Sequence, residues 1–366
     1  MNSLLESLFA ACEQFSASDI HLAEDEVPRM RMRGELRPVA DYCAFDRKTV
    51  DSIAMELALT TLPKGSADGT ERVRYQLLQQ GALDGAISSA SGARYRFNVF
   101  REMDRHAVAL RRLDMTMRDF AELGLPRRLE DFCNEREGLF IVSGPTGSGK
   151  STTLAAMIDK INHGKFGHIV TIEDPVEHIH PCGTCLVRQR QVGRDAKSFN
   201  DALVEALRQD PDVILVGEMR DVDTMRTALR AAETGHLVFS TLHAGDAAGA
   251  VERMVSVFPA DEQPSIRQQL ALALRGILVQ HLLSSADSRT RVPATELLVN
   301  TPAVANLIAS GRSAQIYSLL ETGAQHGMCT LEESLSQLVR RGLVSRSVAY
   351  AVSRRPEILS RRIGDA

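Results

Sequence analysis

The sequence predicts an α/β protein built on a parallel sheet and preceded by a smaller α+β domain, and three observations carry that expectation. From residue 138 onward, continuous apolar runs (GLFIVSG, HIVTIED, DVILVGE, HLVFSTLH) alternate with stretches of helical periodicity, the pattern of strands buried on both faces. A glycine-rich turn, GPTGSGKS at 144–151, lies between the first run and a helix-forming stretch. Ahead of it, the strand-like segments are short and alternating, as in an antiparallel sheet with one solvated face. A chain of 366 residues, 44% of them hydrophobic, is long enough for two such cores.

In the first domain, residues 1–114, Leu4, Leu5, Leu8, Cys12 and Phe15 fall at helical spacing. The polar stretch 16–19 then breaks the run before Ile20, His21 and Leu22, which read as a strand. RMRMRGELRPV at 29–39 reads as a hairpin turning near Gly34 and Glu35, and 46–62 as a helix. Residues 92–113 hold two alternating stretches separated by EMDR, rich in arginine: Arg94, Arg96, Arg101, Arg111 and Arg112. From the pattern alone these form either a solvated sheet face or a functional surface. The stretch 115–126 reads as a linker with a short helix ending at Gly124 and Pro126. The second domain, 127–366, carries helices from Lys150, across 198–208 and across 222–234 between its strands. Its last part, 260–366, reads as mainly helical, with one long periodic segment from Ile266 to Leu283 and further helices at 302–310, 330–341 and 345–353.

Charge and cysteine usage narrow the function classes. Lys and Arg total 43 against 47 Asp and Glu, a net charge of −4, so no global positive field draws the chain to nucleic acid, and no nucleic-acid partner is expected. The N-terminus lacks a secretory pattern, no apolar run approaches the ~20 residues that cross a bilayer, and the six cysteines are mostly scattered. These point to a cytoplasmic protein with reduced thiols, whose membrane contacts run through partner proteins. Cys182 and Cys185 form a CxxC behind His178 and His180, but no second pair completes a zinc site, so the segment reads as an ordinary loop.

The chemistry concentrates in the second domain. In a P-loop, Gly144, Pro145, Thr146, Gly147, Ser148 and Gly149 let main-chain N–H groups close around the phosphates of ATP. Lys150 then reaches the β- and γ-phosphates, Ser151 the Mg²⁺, and Thr152 completes the ATP-binding set. Glu218 ends the apolar run VILVGE on a strand expected to neighbour the P-loop strand, where a carboxylate can serve as general base for the attacking water. Glu173, Asp174 and Glu177 cluster at the end of another run, placed to order water and metal or simply to face solvent. His236 and His243 bracket the HLVFSTLH strand, where each either senses the γ-phosphate or caps the strand.

These elements, in this order, resemble the secretion and pilus ATPase superfamily, and most closely the type IV pilus retraction ATPases of the PilT type. The likeness runs through SASDIHL at 16–22, GPTGSGKST, TIEDPVE, RQVGRDAKSF, LRQDPDVILVGEMRD and AAETGHLVFSTLHA. It implies a PAS-like N-terminal domain above a RecA-like ATPase core, and a homo-hexameric ring that uses ATP and Mg²⁺. It further implies an inner-membrane platform protein as partner and, in some systems, a paralogous motor. Carried over by residue, Glu177 is implied to stand near Mg²⁺ and water, Glu218 to be the catalytic base, and His236 and His243 to contact nucleotide. Arg96 and Arg111 match arginines that meet the phosphates when the two domains close. One segment departs: AVANLIAS at 303–310 keeps the apolar frame and Asn306 but has Ala305, Ala309 and Ser310 where the family's AIRNLIRE-like motif carries charge. Type II secretion and pilus-assembly ATPases share the core but commonly add an N-terminal domain and a tetracysteine insertion. A conjugation or type IV secretion ATPase, a nucleotide-gated scaffold and a small-molecule kinase are the remaining alternatives; the last lacks an acceptor lid.

Overall fold

The computed structural model describes residues 3–32, 34–63, 68–288 and 290–364, and divides them into two compact units. The first comprises the described part of Met1–Thr116 together with Glu173–Ile179 and Arg190–Ser198; the second comprises Met117–Ile172, His180–Gln189 and the remainder from Phe199.

The first unit runs α1 (Ser3–Gln14), β1 (Asp19–Leu22), β2 (Arg29–Met32), β3 (Glu35–Pro38), α2 (Arg47–Leu59), α3 (Gly69–Gln80), β4 (Ala82–Ser88), β5 (Arg94–Glu102) and β6 (Arg105–Leu113). Its six strands form one sheet in the order β3-β2-β1-β6-β5-β4, antiparallel throughout. The helix α1 buries Leu5, Leu8, Phe9 and Cys12, the spacing of one helical face, and Phe9 stacks on Tyr95 with centroids 4.2 Å apart. Asp46 caps α2 by accepting from the Thr49 N–H, and Val50, Ile53, Ala54, Leu57 and Ala58 bury its inner face. On β5 the burial alternates, with Tyr95, Phe97 and Val99 inward. That alternation puts Arg94 and Arg96 on the outer face, where Arg96 lies directly across from Arg111, and Arg111 directly across from Asp19. The helix α3 and strand β4 carry no clear sequence signal, because α3 buries only Val73 and Leu77.

The second unit runs α4 (Leu129–Asn134), β7 (Gly138–Ser143), α5 (Lys150–Gly164), β8 (His168–Glu173), β9 (Leu186–Gln191), α6 (Phe199–Ala206), β10 (Val213–Val216), α7 (Val222–Glu233) and β11 (Leu237–Leu242), with only part of β8 and β9 in it. It continues with α8 (Ala247–Ser256), α9 (Gln263–Ala273), β12 (Leu274–Ser284), β13 (Arg291–Val299), α10 (Pro302–Ala309), α11 (Ile316–Thr322), α12 (Leu331–Arg340), α13 (Arg346–Val352) and α14 (Pro356–Ile363). The sheet order is β13-β12-β7-β11-β10-β8-β9, and β12, β7, β11, β10 and β8 are parallel. Every residue of β7, β10 and β11 is buried, which is why these strands read as unbroken apolar runs. No helix among the described residues is long and apolar enough to cross a membrane.

Two expectations are corrected here. The periodic segment from Ile266 to Leu283 is a helix only as far as Ala273; Leu274 turns extended, and the apolar remainder becomes β12, which extends the sheet beside β7 and hairpins into β13. A short apolar run reads equally as buried helix or buried strand, and here the edge of β7 decides it. The short helix expected to end at Gly124 is a turn, and Phe120 and Leu125, within the stretch read as linker, are buried in the second unit's core.

Candidate active site

The P-loop leaves the sheet at Ser143 and enters α5 at Lys150. Gly144, Gly147 and Gly149 have φ of 140°, 77° and 89°, values that favour glycine, and the helix start at Gly149 receives no side-chain cap. The first main-chain N–H groups of α5 therefore point outward without an internal acceptor, an arrangement suited to phosphate. Two further features fit a nucleotide. Lys150 Nζ donates to the loop's own carbonyls, Gly144 O and Pro145 O, each at 3.0 Å, so its ammonium is folded over the cradle. The Ser148 hydroxyl is buried with no hydrogen-bond partner among the described residues, a group that phosphate oxygens satisfy. Ser151 and Thr152 are exposed on the first turn of α5.

Around this cradle stand Glu218 and His243. Burial pulls the Lys150 ammonium below its ordinary pKa, and the nearby Glu218 carboxylate opposes that shift. Burial likewise lowers the His243 imidazole, Lys150 lowers it further, and Glu218 again opposes. The three groups thus lie within one electrostatic neighbourhood, in which a neutral imidazole is favoured. Glu218 is held by Arg220 Nε at 2.6 Å, and the turn ahead of it by the Thr241 hydroxyl on Gly217 O, also at 2.6 Å. Its strand is one place further from the P-loop strand than expected: β11 lies between β7 and β10. His243 follows β11, the strand that does adjoin β7.

His236 departs from the expected site. The register pairs Leu237 with Gly138 and Leu242 with Ser143, so His236 sits at the opposite edge of the sheet from the P-loop, about 20 Å away at ~3.3 Å per strand residue. There its Nδ1 lies 3.1 Å from Ala231 O. Within one chain only His243 of the pair reaches the phosphate edge.

The remaining candidates belong to the first unit. Arg96 pairs with Glu177 at 3.2 Å, and Arg94 Nη2 donates to Val176 O at 3.0 Å, so β5 holds the acidic segment after β8. Arg111 Nε donates to Asp19 at 2.8 Å. Burial alone would raise the Asp19 carboxyl, but hydrogen bonds from Ser18 and Arg111 outweigh it and hold the group below the usual carboxylate range. Glu173 ends β8, and its carbonyl accepts the Val192 N–H at 2.9 Å. Cys185 is buried with its thiol 3.3 Å from Lys165 O, while Cys182 is exposed. Among the described residues no group of three or more His, Cys, Asp or Glu is arranged to hold a metal ion.

Comparison with known proteins places this geometry. Residues 4–342 match the family model described as type II/IV secretion system protein. The chain belongs to that family. Among its relatives, the type IV pilus retraction ATPase PilT of Pseudomonas aeruginosa is 39% identical over 353 residues, covering 96% of this chain and 99% of the relative. A twitching motility protein of Neisseria gonorrhoeae is 40% identical over 333 residues, 91% of this chain and 86% of its own. The solved structure of the pilus retraction motor PilT with bound ADP superimposes with a TM-score of 0.87 at 39% identity, over 97% of this chain and 98% of that one.

This family member also uses residues that sequence reasoning passed over. Ser143 bonds the main chain of Ala244 in both directions, each at 2.9 Å, tying the end of the P-loop strand to the residue after His243. Glu296 on β13 accepts the buried Ala247 N–H at 2.8 Å, securing the far end of the same turn. No local pattern marks either one, because each partner lies dozens of residues away in the chain.

Proposed function

We propose that this chain is an ATP-hydrolysing motor that powers type IV pilus retraction, and that it works as a homo-hexameric ring on the cytoplasmic face of the inner membrane. The observation that carries the reading is the convergence of Lys150, Glu218 and His243 on one phosphate cradle, in a chain alike along nearly its whole length to a pilus retraction ATPase.

Phosphoryl transfer to water requires positioning and charge neutralisation rather than covalent chemistry. The N–H groups of residues 146–151 bind the β-phosphate, and Lys150 leaves its own loop carbonyls for the γ-phosphate. Glu218 accepts the proton of the attacking water. His243 donates from its neutral ring to a γ-phosphate oxygen. Ser151, together with Glu177, would hold Mg²⁺, which when bound would supply neutralisation of the phosphate charge. Arg96 and Arg111 supply further positive charge to the phosphates, exchanging Glu177 and Asp19 for nucleotide. The membrane partner is a platform protein of the pilus, with a second, paralogous motor in systems that use one.

The test is Mg²⁺-dependent ATPase activity against protein concentration, with molecular size followed in parallel, for the wild type and Glu218→Gln. Activity that rises with hexamer formation, and that falls by at least about a hundredfold in the variant while ADP still binds, is the expected result. Nucleotide binding without turnover in the wild type would instead make the chain a gated scaffold.

A further inference from the structure

The strand β12 runs beside the P-loop strand in a register that sets Val279 opposite Ser143, so Gln280 is level with Gly144, the first residue of the loop. Gln280 is 4% exposed, a polar side chain kept in the interior. Its carboxamide oxygen accepts the Thr153 hydroxyl at 2.7 Å, a fully buried bond to the first turn of α5. Its Nε2 stands 2.8 Å from the position that a Cβ on Gly149 would occupy, and its main-chain carbonyl packs directly on Gly144. A single residue therefore touches the loop at its first glycine, at its last glycine and just beyond.

We propose that Gln280 is a positioning residue for nucleotide binding. It braces a loop that would otherwise explore many conformations, since three of its residues are left-handed glycines. The brace acts before nucleotide arrives: it holds the N–H groups of Gly149 and Lys150 in a converged arrangement, so that binding does not have to order them. The contacts to Gly144 and Gly149 also explain why those two positions exclude a side chain on grounds of space as well as of φ. Nothing in this role touches the reacting phosphorus, so its loss weakens ATP and ADP alike and leaves the chemical step little changed.

The inference rests on the ATPase reading above, and its test separates the two. ADP affinity is measured by calorimetry, and KM and kcat for Mg²⁺-ATP by steady-state kinetics, on the full chain carrying Gln280→Met, Thr153→Val, both together, or Thr153→Ser. Removing either end of a buried hydrogen bond is expected to weaken ADP by about fivefold, the equivalent of about 1 kcal/mol. KM should rise by a similar factor, with kcat within about twofold. Because both variants break the same bond, the double variant should be no worse than the poorer single one. Thr153→Ser, which keeps the hydroxyl, should restore most of the affinity lost in Thr153→Val. Additive losses, a fall in thermal stability with affinity unchanged, or a fall in kcat at constant KM would each overturn the assignment. Should Gln280→Met fail to fold, the contrast between Thr153→Val and Thr153→Ser decides alone. A wild type that binds no ADP sinks the nucleotide reading itself; a wild type that binds while every variant matches it sinks only the role of Gln280.

Discussion

Glu296 shows how one buried group ties pH to stability. Burial raises its pKa to about 7, the Asp246 and Glu332 carboxylates push in the same direction, and the Ala247 and Leu331 N–H groups only partly offset them. In the unfolded chain the same group titrates near its ordinary value of 4.5. Between those two values the folded protein holds a proton that the unfolded chain has lost, so stability declines as pH rises through this window and levels off above it. The loss is on the order of 3 kcal/mol. Melting temperatures from pH 5 to 8 should fall more steeply for the wild type than for Glu296→Gln, and parallel slopes would refute the assignment. At this scale, what a sequence discloses depends on how local the chemistry is. Lys150 and Ser151 stand in one contiguous motif, and Glu218 and His243 each end an apolar run, so all four could be named in advance. Glu296, Ser143 and Gln280 take their roles from partners 49, 101 and 127 residues distant, and no window along the chain contains such pairs.

Among the elements, β12 links two bodies of packing. Leu278 belongs to the core beneath β7 and α5, whereas Leu283 belongs to a separate cluster with Leu331, Leu335, Val344, Ala349 and Leu359 from the C-terminal helices. Leu335 is fully buried in this smaller cluster. With few neighbours able to close the space, Leu335→Ala should cost ~2–5 kcal/mol. Urea unfolding followed by circular dichroism would show it as a lower midpoint at an unchanged slope. The strand itself was illegible in the sequence, since its conformation is decided by the edge of β7 rather than by its own residues. The helix α10 was legible: Val304, Leu307 and Ile308 are buried as the retained apolar frame demands. Where the family motif carries charge, the Ser310 hydroxyl instead turns back to Asn306 O at 2.7 Å, closing the helix end on itself.

For the whole molecule, the proposed role of Arg96 and Arg111 turns on how firmly the first unit's own carboxylates hold them. Arg96 and Arg111 face each other across β5 and β6 on one side of that sheet, and like charges in such a pair repel. The pair is tolerated because each arginine has its own carboxylate, Glu177 at 3.2 Å and Asp19 at 2.8 Å. Both arginines keep solvent access, with side chains 43% and 71% exposed, so these ion pairs are of the weak, exchangeable kind. Under the proposed function, a triphosphate would compete with a single carboxylate for such groups, and its loss on hydrolysis would return them to Glu177 and Asp19. If this is how turnover is coupled to motion, Arg96→Ala combined with Arg111→Ala should lower kcat at least about tenfold while ADP affinity, set by the P-loop, changes less than about threefold. Nucleotide-dependent closure, read by small-angle scattering with and without a non-hydrolysable ATP analogue, should disappear in the same variant. An unchanged kcat together with preserved closure would leave the arginines as a solvated sheet face and send the search for the coupling element elsewhere in the chain.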